Sequence, residues 1–186
     1  MRKIAVTGNI AAGKSAVENI LRAKGFKVID ADVIAHELLV NNHKVTEAFK
    51  EFDIFEDNGI SRKKLGTLVF ENHDLRKRLE DILHPEIKDK IYEFFLNNRY
   101  EKYVFASVPL LFEAGMQGLF DEIVFVYADD DIRLARLMER NGFSREEALL
   151  RMNSQMPQQD KIEKSDFIIE NNGSIDELKK QIDALF

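Results

Sequence analysis

Short apolar runs bounded by glycine and charged residues alternate along this chain with longer stretches whose apolar residues recur every three or four positions. Ile4-Ala5-Val6, just ahead of Gly8, reads as a buried strand. Between Ser15 and Lys24, Val17, Ile20 and Leu21 fall on one helical face, and Gly25 supplies a stop. Phe26 to Asp30 reads as a second strand. From about Val33 to Asn98 the pattern is helical and polar-faced, with one break around Asp57-Asn58-Gly59. Within it His84-Pro85 reads as the start of a helix, since proline suits a first helical turn. Tyr103–Val108 and Glu122–Tyr127 read as a third and a fourth strand. A charged helical pair follows from about Asp130 to Met156, and Ser144 with Glu147 fits a capping box opening its second helix. Asp166–Ile169 reads as a fifth strand, and Ser174 to Phe186 as a closing helix.

Five short apolar strands separated by helices predict an α/β fold with a mainly parallel sheet covered on both faces. No repeat, low-complexity segment or linker interrupts the chain, so the expectation for its 186 residues is one domain. Its core is expected at 1–32, 100–129 and 157–186, with a helical lobe at about 33–99 and a helical segment at about 130–156. Composition narrows the chemistry. The absence of cysteine excludes disulfides, thiolate catalysis and Cys-ligated metal sites. The first apolar run is broken too early for a signal peptide, and no stretch nears the roughly 20 apolar residues that span a bilayer. The expected compartment is the cytoplasm. A net charge of −6 argues against a dedicated nucleic-acid binder. It does not argue against nucleotides, which need only local positive charge and oriented amides.

Gly8-Asn9-Ile10-Ala11-Ala12-Gly13-Lys14-Ser15 matches G-x-x-x-x-G-K-[ST] between a strand and a helix. In such a loop the backbone N–H groups and the helix N-terminus face phosphate oxygens. Lys14 reaches the β- and γ-phosphates, and the Ser15 hydroxyl sits on magnesium. The motif alone does not choose among GTPases, motor ATPases, transporters and small-molecule kinases. The chain has no N-K-x-D, D-x-x-G or L-S-G-G-Q signature, and its helical insertion after the second strand is where small-molecule kinases bind the acceptor.

Asp30 and Asp32, at i and i+2, fall on one side of an extended segment at a strand's carboxyl end. There a carboxylate can accept a proton from an attacking hydroxyl, help order magnesium, or simply cap a helix. Pro109-Leu110-Leu111-Phe112-Glu113 follows the third strand. Arg133, Arg136 and Arg140 share a helical stripe, with Arg151 and Gln155 at i, i+4 on the next helix. That is a solvated face, or the arginine-bearing lid of a P-loop kinase.

Taken together and in this order, the pieces resemble the dephospho-coenzyme A kinase family over nearly the whole chain. The resemblance rests on the loop, Val28-Ile29-Asp30-Ala31-Asp32 with Val33-Ile34-Ala35, His84-Pro85, Pro109–Glu113, the run Arg136 to Gln155, and Ser165 to Gly173. It implies transfer of the γ-phosphoryl of Mg-ATP to the ribose 3′-hydroxyl of dephospho-coenzyme A, with ATP and dephospho-coenzyme A as partners, magnesium as cofactor, and no nucleic-acid, membrane or obligate protein partner. By that likeness Asp32 is the base, with Lys14 and Arg140 also catalytic. ATP is held by Ala11, Ala12, Gly13, Lys14, Ser15, Ala16, Arg136, Arg140, Asn171 and Gly173, the metal by Ser15. The acceptor is lined by Asp32, His84, Pro85, Leu111 and Glu113. The sequence departs from the family at Ala11 and Ala12, where glycine and serine are frequent, at Ala16, where threonine is common, and at Ser107, where many members carry aspartate. The rival expectations are a kinase for a nucleoside monophosphate or other small acceptor, and a nucleotide-dependent switch without an acceptor.

Overall fold

From Ile4 onward β1 (Arg2–Thr7) is buried on both faces, and that decides what surrounds it. A strand with no polar face belongs inside a parallel sheet covered by helices. The computed structural model describes residues 1–40, 42–56 and 59–186, and it contains such a sheet. β1 pairs in parallel with β5 (Tyr103–Ser107) on one side and β6 (Glu122–Tyr127) on the other. β2 (Lys27–Asp30) lies outside β5, and β7 (Phe167–Glu170) outside β6, both again parallel. The five-stranded order is β2-β5-β1-β6-β7, so the α/β fold with a parallel sheet is as expected. From β1 the chain winds to β2 at one edge, whereas from β5 it crosses to β6 beyond β1. The winding reverses at β1, and ligand crevices in such sheets open at the strands' carboxyl ends beside that reversal.

The chain divides into two compact units, Met1–Asp30 with Phe95–Phe186, and Ala31–Phe94. In the first, α1 (Lys14–Ala23) and α9 (Ile175–Leu185) bring Val17, Leu21, Leu178 and Ile182 into one core with Phe105 and Val124. Phe105 meets Phe26 and Phe186 edge-on, at centroid distances of 5.2 and 5.0 Å. A second, smaller core joins α6 (Asp130–Asn141) to α7 (Arg145–Asn153) through Leu134, Leu137, Ala148 and Met152, with Ile10 and Ala11 packed against it. Ser144 and Glu147 form the expected capping box. Ser174 and Glu177 form another, so the closing helix starts one residue later than its pattern suggests. Short α8 (Gln158–Ile162) leads into β7.

The second unit holds α2 (Ala31–Val40), α3 (His43–Phe49), α4 (Arg62–Glu71) and most of α5 (His73–Asn97), around Val45, Phe49, Leu65 and Ile91. β3 (Phe55–Glu56) and β4 (Gly59–Ile60) pair antiparallel. Of the expected break, Asp57 and Asn58 lie outside the described residues. Two-residue strands carry no periodicity, which is why the ladder was not legible in the pattern. Pro85 does not open a helix. It lies inside α5, whose start is fixed instead by the Asn72 side chain accepting the amides of Asp74 and Leu75 at 3.0 and 3.1 Å. Proline lacks only its own N–H, so the helix continues past it with the Asp81 carbonyl left without its i+4 donor. No helix among the described residues is long and apolar enough to cross a membrane.

Phe105 has no exposed surface and anchors the aromatic contacts made by β5. Phe105→Ala is expected to lower unfolding free energy by about 3–5 kcal/mol. Chemical denaturation followed by circular dichroism measures it; a loss below about 1 kcal/mol would contradict this account of the core.

Candidate active site

The turn between β1 and α1 is shaped by two glycines and one strained alanine. A Cβ on Gly8 would stand 2.7 Å from the Val126 carbonyl oxygen, so the backbone can leave the sheet here only without a side chain. Gly13 takes φ 93°, and a Cβ on it would stand 1.8 Å from Asn171 Nδ2. That amide nitrogen donates to the Ala12 carbonyl at 2.8 Å, tying the loop to the end of β7. Ala11 sits at φ 63°, the only non-glycine residue with positive φ among those described. The left-handed region costs an L-residue roughly 1–2 kcal/mol, and the loop carries that strain. The Ala12 amide donates to the Asn9 carbonyl at 3.0 Å, closing a turn within the loop. The Ala16 amide donates to the Gly13 carbonyl at 2.9 Å as α1 starts.

Lys14 opens α1, and its ammonium donates to Glu18 Oε1 at 2.9 Å and to Ser107 Oγ. Ser107 in turn donates to Glu18 Oε1 at 2.6 Å, while Arg22 reaches Glu18 Oε2 at 3.2 Å. Burial pushes the Glu18 carboxyl upward, but Lys14, the Ser107 hydroxyl and Arg22 outweigh it and hold Glu18 below the usual carboxylate range. Sequence reasoning missed Glu18. Its signal was a charge at i+4 from Lys14, inside the apolar stripe of Val17, Ile20 and Leu21. Ser15, beside Lys14 in the first turn of α1, is exposed. A lone hydroxyl at a helix N-terminus fits magnesium, a hard cation that takes oxygen ligands and in such sites relies on water and substrate phosphates for most of its shell. Among the described residues no group of three or more acidic or histidine side chains could form a protein cage for a metal.

The three stripe arginines meet different fates. Arg133 is buried; its Nε donates to the Ile10 carbonyl at 3.0 Å and its Nη1 to Asp130 at 2.8 Å. Arg136 Nη2 donates to the Asn171 carbonyl at 2.9 Å, and Nη1 stands 3.7 Å from where a Gly13 Cβ would be, buried and without a protein acceptor. Arg140 is exposed at the end of α6 and donates to Asn141 at 2.8 Å. Arg151 and Gln155 do not lie on one helix as expected, because α7 ends at Asn153. Gln155 lies beyond the cap and accepts the Ile10 amide at 2.7 Å, while Asn9 Nδ2 donates to the Met156 carbonyl at 2.9 Å. The loop is therefore stitched to the segment after α7.

Beyond β5, Leu111 is fully buried. Glu113 pairs with the fully buried ammonium of Lys161 at 2.7 Å and accepts the Met156 amide at 3.2 Å. Asn171 serves the loop through its side chain, and Gly173 precedes the cap of α9. Asp30 ends β2 and is the last residue of that part of the first unit, whereas Asp32, in the second unit, lies in the first turn of α2. The two acids therefore do not share one side of an extended segment, because the strand stops between them. His84 is half-buried on α5, next to exposed Pro85. Burial pushes its imidazole below the usual range; Glu80 and Asp81 oppose that and Lys88 adds to it. The same unit has a cavity of about 550 Å³ lined by His36, Arg62 and Lys63 on its polar side and by Leu39, Leu65 and Val69. Arg62 Nη2 lies 2.8 Å from His36 Nε2.

Relieving φ 63° at Ala11 is expected to outweigh the added chain entropy of glycine. Ala11→Gly should raise unfolding free energy by up to about 1 kcal/mol. Thermal and denaturant unfolding test this, and a destabilised variant would refute the strain.

The sequence profile of the dephospho-CoA kinase family matches residues 2–177. A dephospho-CoA kinase of Carboxydothermus hydrogenoformans is 44% identical over 187 residues, covering 96% of this chain and 90% of that protein. The crystal structure of a Thermus thermophilus protein superposes with a TM-score of 0.87 at 34% identity, covering 99% of this chain and 95% of that one. The dephospho-CoA kinase of Campylobacter jejuni gives a TM-score of 0.75 at 35% identity, covering 98% and 96%. With a profile match over residues 2–177 and a relative 44% identical over 96% of this chain's length, the chain belongs to the dephospho-CoA kinase family.

Proposed function

We propose that this protein transfers the γ-phosphoryl group of ATP to the ribose 3′-hydroxyl of dephospho-coenzyme A, giving coenzyme A and ADP. The observation that carries the donor half is the loop itself, in which Gly13, pressed against Asn171, delivers Lys14 and Ser15 to the start of α1 at the sheet's reversal point. Family membership supports the acceptor.

Phosphoryl transfer passes through a loose transition state, so catalysis is mostly positioning and electrostatic stabilisation. The start of α1 stabilises the phosphates through its unpaired amides and dipole. Lys14 supplies a cation to the β- and γ-oxygens. Arg136 adds another, since Nη1 beside Gly13 has no protein acceptor while Nη2 is fixed on Asn171. Arg140, exposed one turn further along α6, is assigned to the same lid. Ser15 would hold magnesium, which when bound neutralises charge on the phosphate oxygens. Asp32, in the first turn of α2, orients the ribose hydroxyl and takes its proton late in the transfer. His84 is mainly uncharged near neutral pH and suits hydrogen bonding to the acceptor better than charge pairing. The cavity lined by Arg62, Lys63 and His36 together with aliphatic side chains suits an acceptor with both phosphate groups and a long, less polar arm. Glu113, tied to Lys161, holds the turn after β5 and contributes to the acceptor side through that turn.

Incubation with Mg-ATP and dephospho-coenzyme A should yield ADP and a product phosphorylated on the 3′-oxygen, as read by mass spectrometry and phosphorus NMR. AMP, CMP, UMP and shikimate should be poor acceptors; preferential turnover of one of them would refute the acceptor. Asp32→Asn should lower kcat by at least about 100-fold, the scale of a general base. ATP affinity, measured by direct binding, should change little. Near-normal turnover would remove Asp32 from the role.

A further inference from the structure

Lys14 is only 13% exposed, and the carboxylate facing it, Glu18, only 4%. Ser107 joins them at the end of β5, accepting from Lys14 and donating to the same Glu18 oxygen that Lys14 uses. Glu18's second oxygen faces Arg22 at 3.2 Å. The lysine that a phosphate loop presents to nucleotide is thus already satisfied, by an anion from its own helix and a hydroxyl from the neighbouring strand. An incoming polyphosphate competes for that ammonium. The exchange is feasible because Glu18 keeps Ser107 and Arg22 when Lys14 leaves, so no buried carboxylate is stranded without partners.

We propose that Glu18, held by Ser107, is the positioning residue and resting counter-ion of Lys14, and that its negative charge sets how tightly the loop binds polyphosphate. The charge acts twice. It stabilises the empty loop by pairing with Lys14, and it repels phosphate oxygens that arrive beside it. Both effects weaken binding, so removing the charge should tighten it. Ser107 works in the same direction by sharing the ammonium, a bond that is lost when Lys14 turns to phosphate, whereas its bond to Glu18 is kept in both states.

The inference rests on the loop binding nucleotide and not on the identity of the acceptor. The test is calorimetric titration of ADP and of inorganic tripolyphosphate, in EDTA, into the parent protein, Glu18→Gln, Glu18→Asp and Ser107→Ala. Glu18→Gln should lower the Kd of both ligands at least about fivefold while lowering the melting temperature of the ligand-free protein. Glu18→Asp, which keeps the charge, should return the Kd toward the parent value. Ser107→Ala should lower Kd by about twofold, and it decides the matter if Glu18→Gln does not fold. A purely structural Glu18 would lower the melting temperature without tightening binding. Unchanged or weaker binding by a folded Glu18→Gln, or by Ser107→Ala, overturns the proposal. A parent protein that binds ADP yet leaves dephospho-coenzyme A unphosphorylated instead refutes the function proposed above, leaving the role of Glu18 to be judged on its own titrations.

Discussion

The hydrogen bond from Asn171 to the Ala12 carbonyl is the contact around which the donor site is organised. It is possible only because Gly13 has no Cβ, since that atom would coincide with the Asn171 amide. Through the same residue, Arg136 is held by the Asn171 carbonyl, and the Asn171 amide continues the β6–β7 ladder by donating to Tyr127 at 2.8 Å. One asparagine thus joins sheet, loop and the arginine helix. Moving any of them means breaking a hydrogen bond in a buried place, where an unpaired amide or carbonyl costs about 1–3 kcal/mol.

Charge follows the same economy. A net charge of −6 does not prevent anion binding, because the cations that matter are local and individually balanced. Buried Arg133 faces Asp130 and the Ile10 carbonyl, fully buried Lys161 faces Glu113, and Lys14 faces Glu18. Arg133 and Lys161 serve architecture: the first braces the front of the loop, the second the turn after β5. Lys14 differs because its partner has other cationic and hydroxyl company, in Arg22 and Ser107. A pair built this way can separate without leaving a bare charge behind.

Legibility in the sequence tracked how local each interaction is. The β1–α1 turn, the Ser144–Glu147 capping box and the five strands depend on neighbours within a few residues, and the pattern disclosed them. Pro85 misled because proline's preference for a first turn is a tendency, whereas Asn72, thirteen positions earlier, fixes where α5 begins. Asp30 and Asp32 misled because strand and helix meet between them, so a period-two argument spanned two periods. The three arginines of α6 share a stripe but not a role, since burial and partners beyond the helix separate Arg133, Arg136 and Arg140. Glu18 escaped notice because its meaning lies in Ser107, 89 positions away.

That last pair also changes how the family's departures in this chain are understood. Ser107 in place of the frequent aspartate looked like a loss of a strand carboxylate near the loop. In the folded protein the hydroxyl and Glu18 sit 2.6 Å apart, and the negative charge near Lys14 is supplied from α1 instead of from β5. A small neutral donor suits that arrangement, because a second carboxylate at this distance from Glu18 would repel it and favour protonation of one of the two. Ala11 shows the opposite case. Nothing among its neighbours takes over the freedom a glycine would have, and the loop retains its φ of 63° as strain, held in place by the packing of Ile10 and Ala11 on α6 and α7. One departure is therefore compensated by a partner from elsewhere in the fold, and the other is tolerated because the surrounding contacts over-determine the backbone.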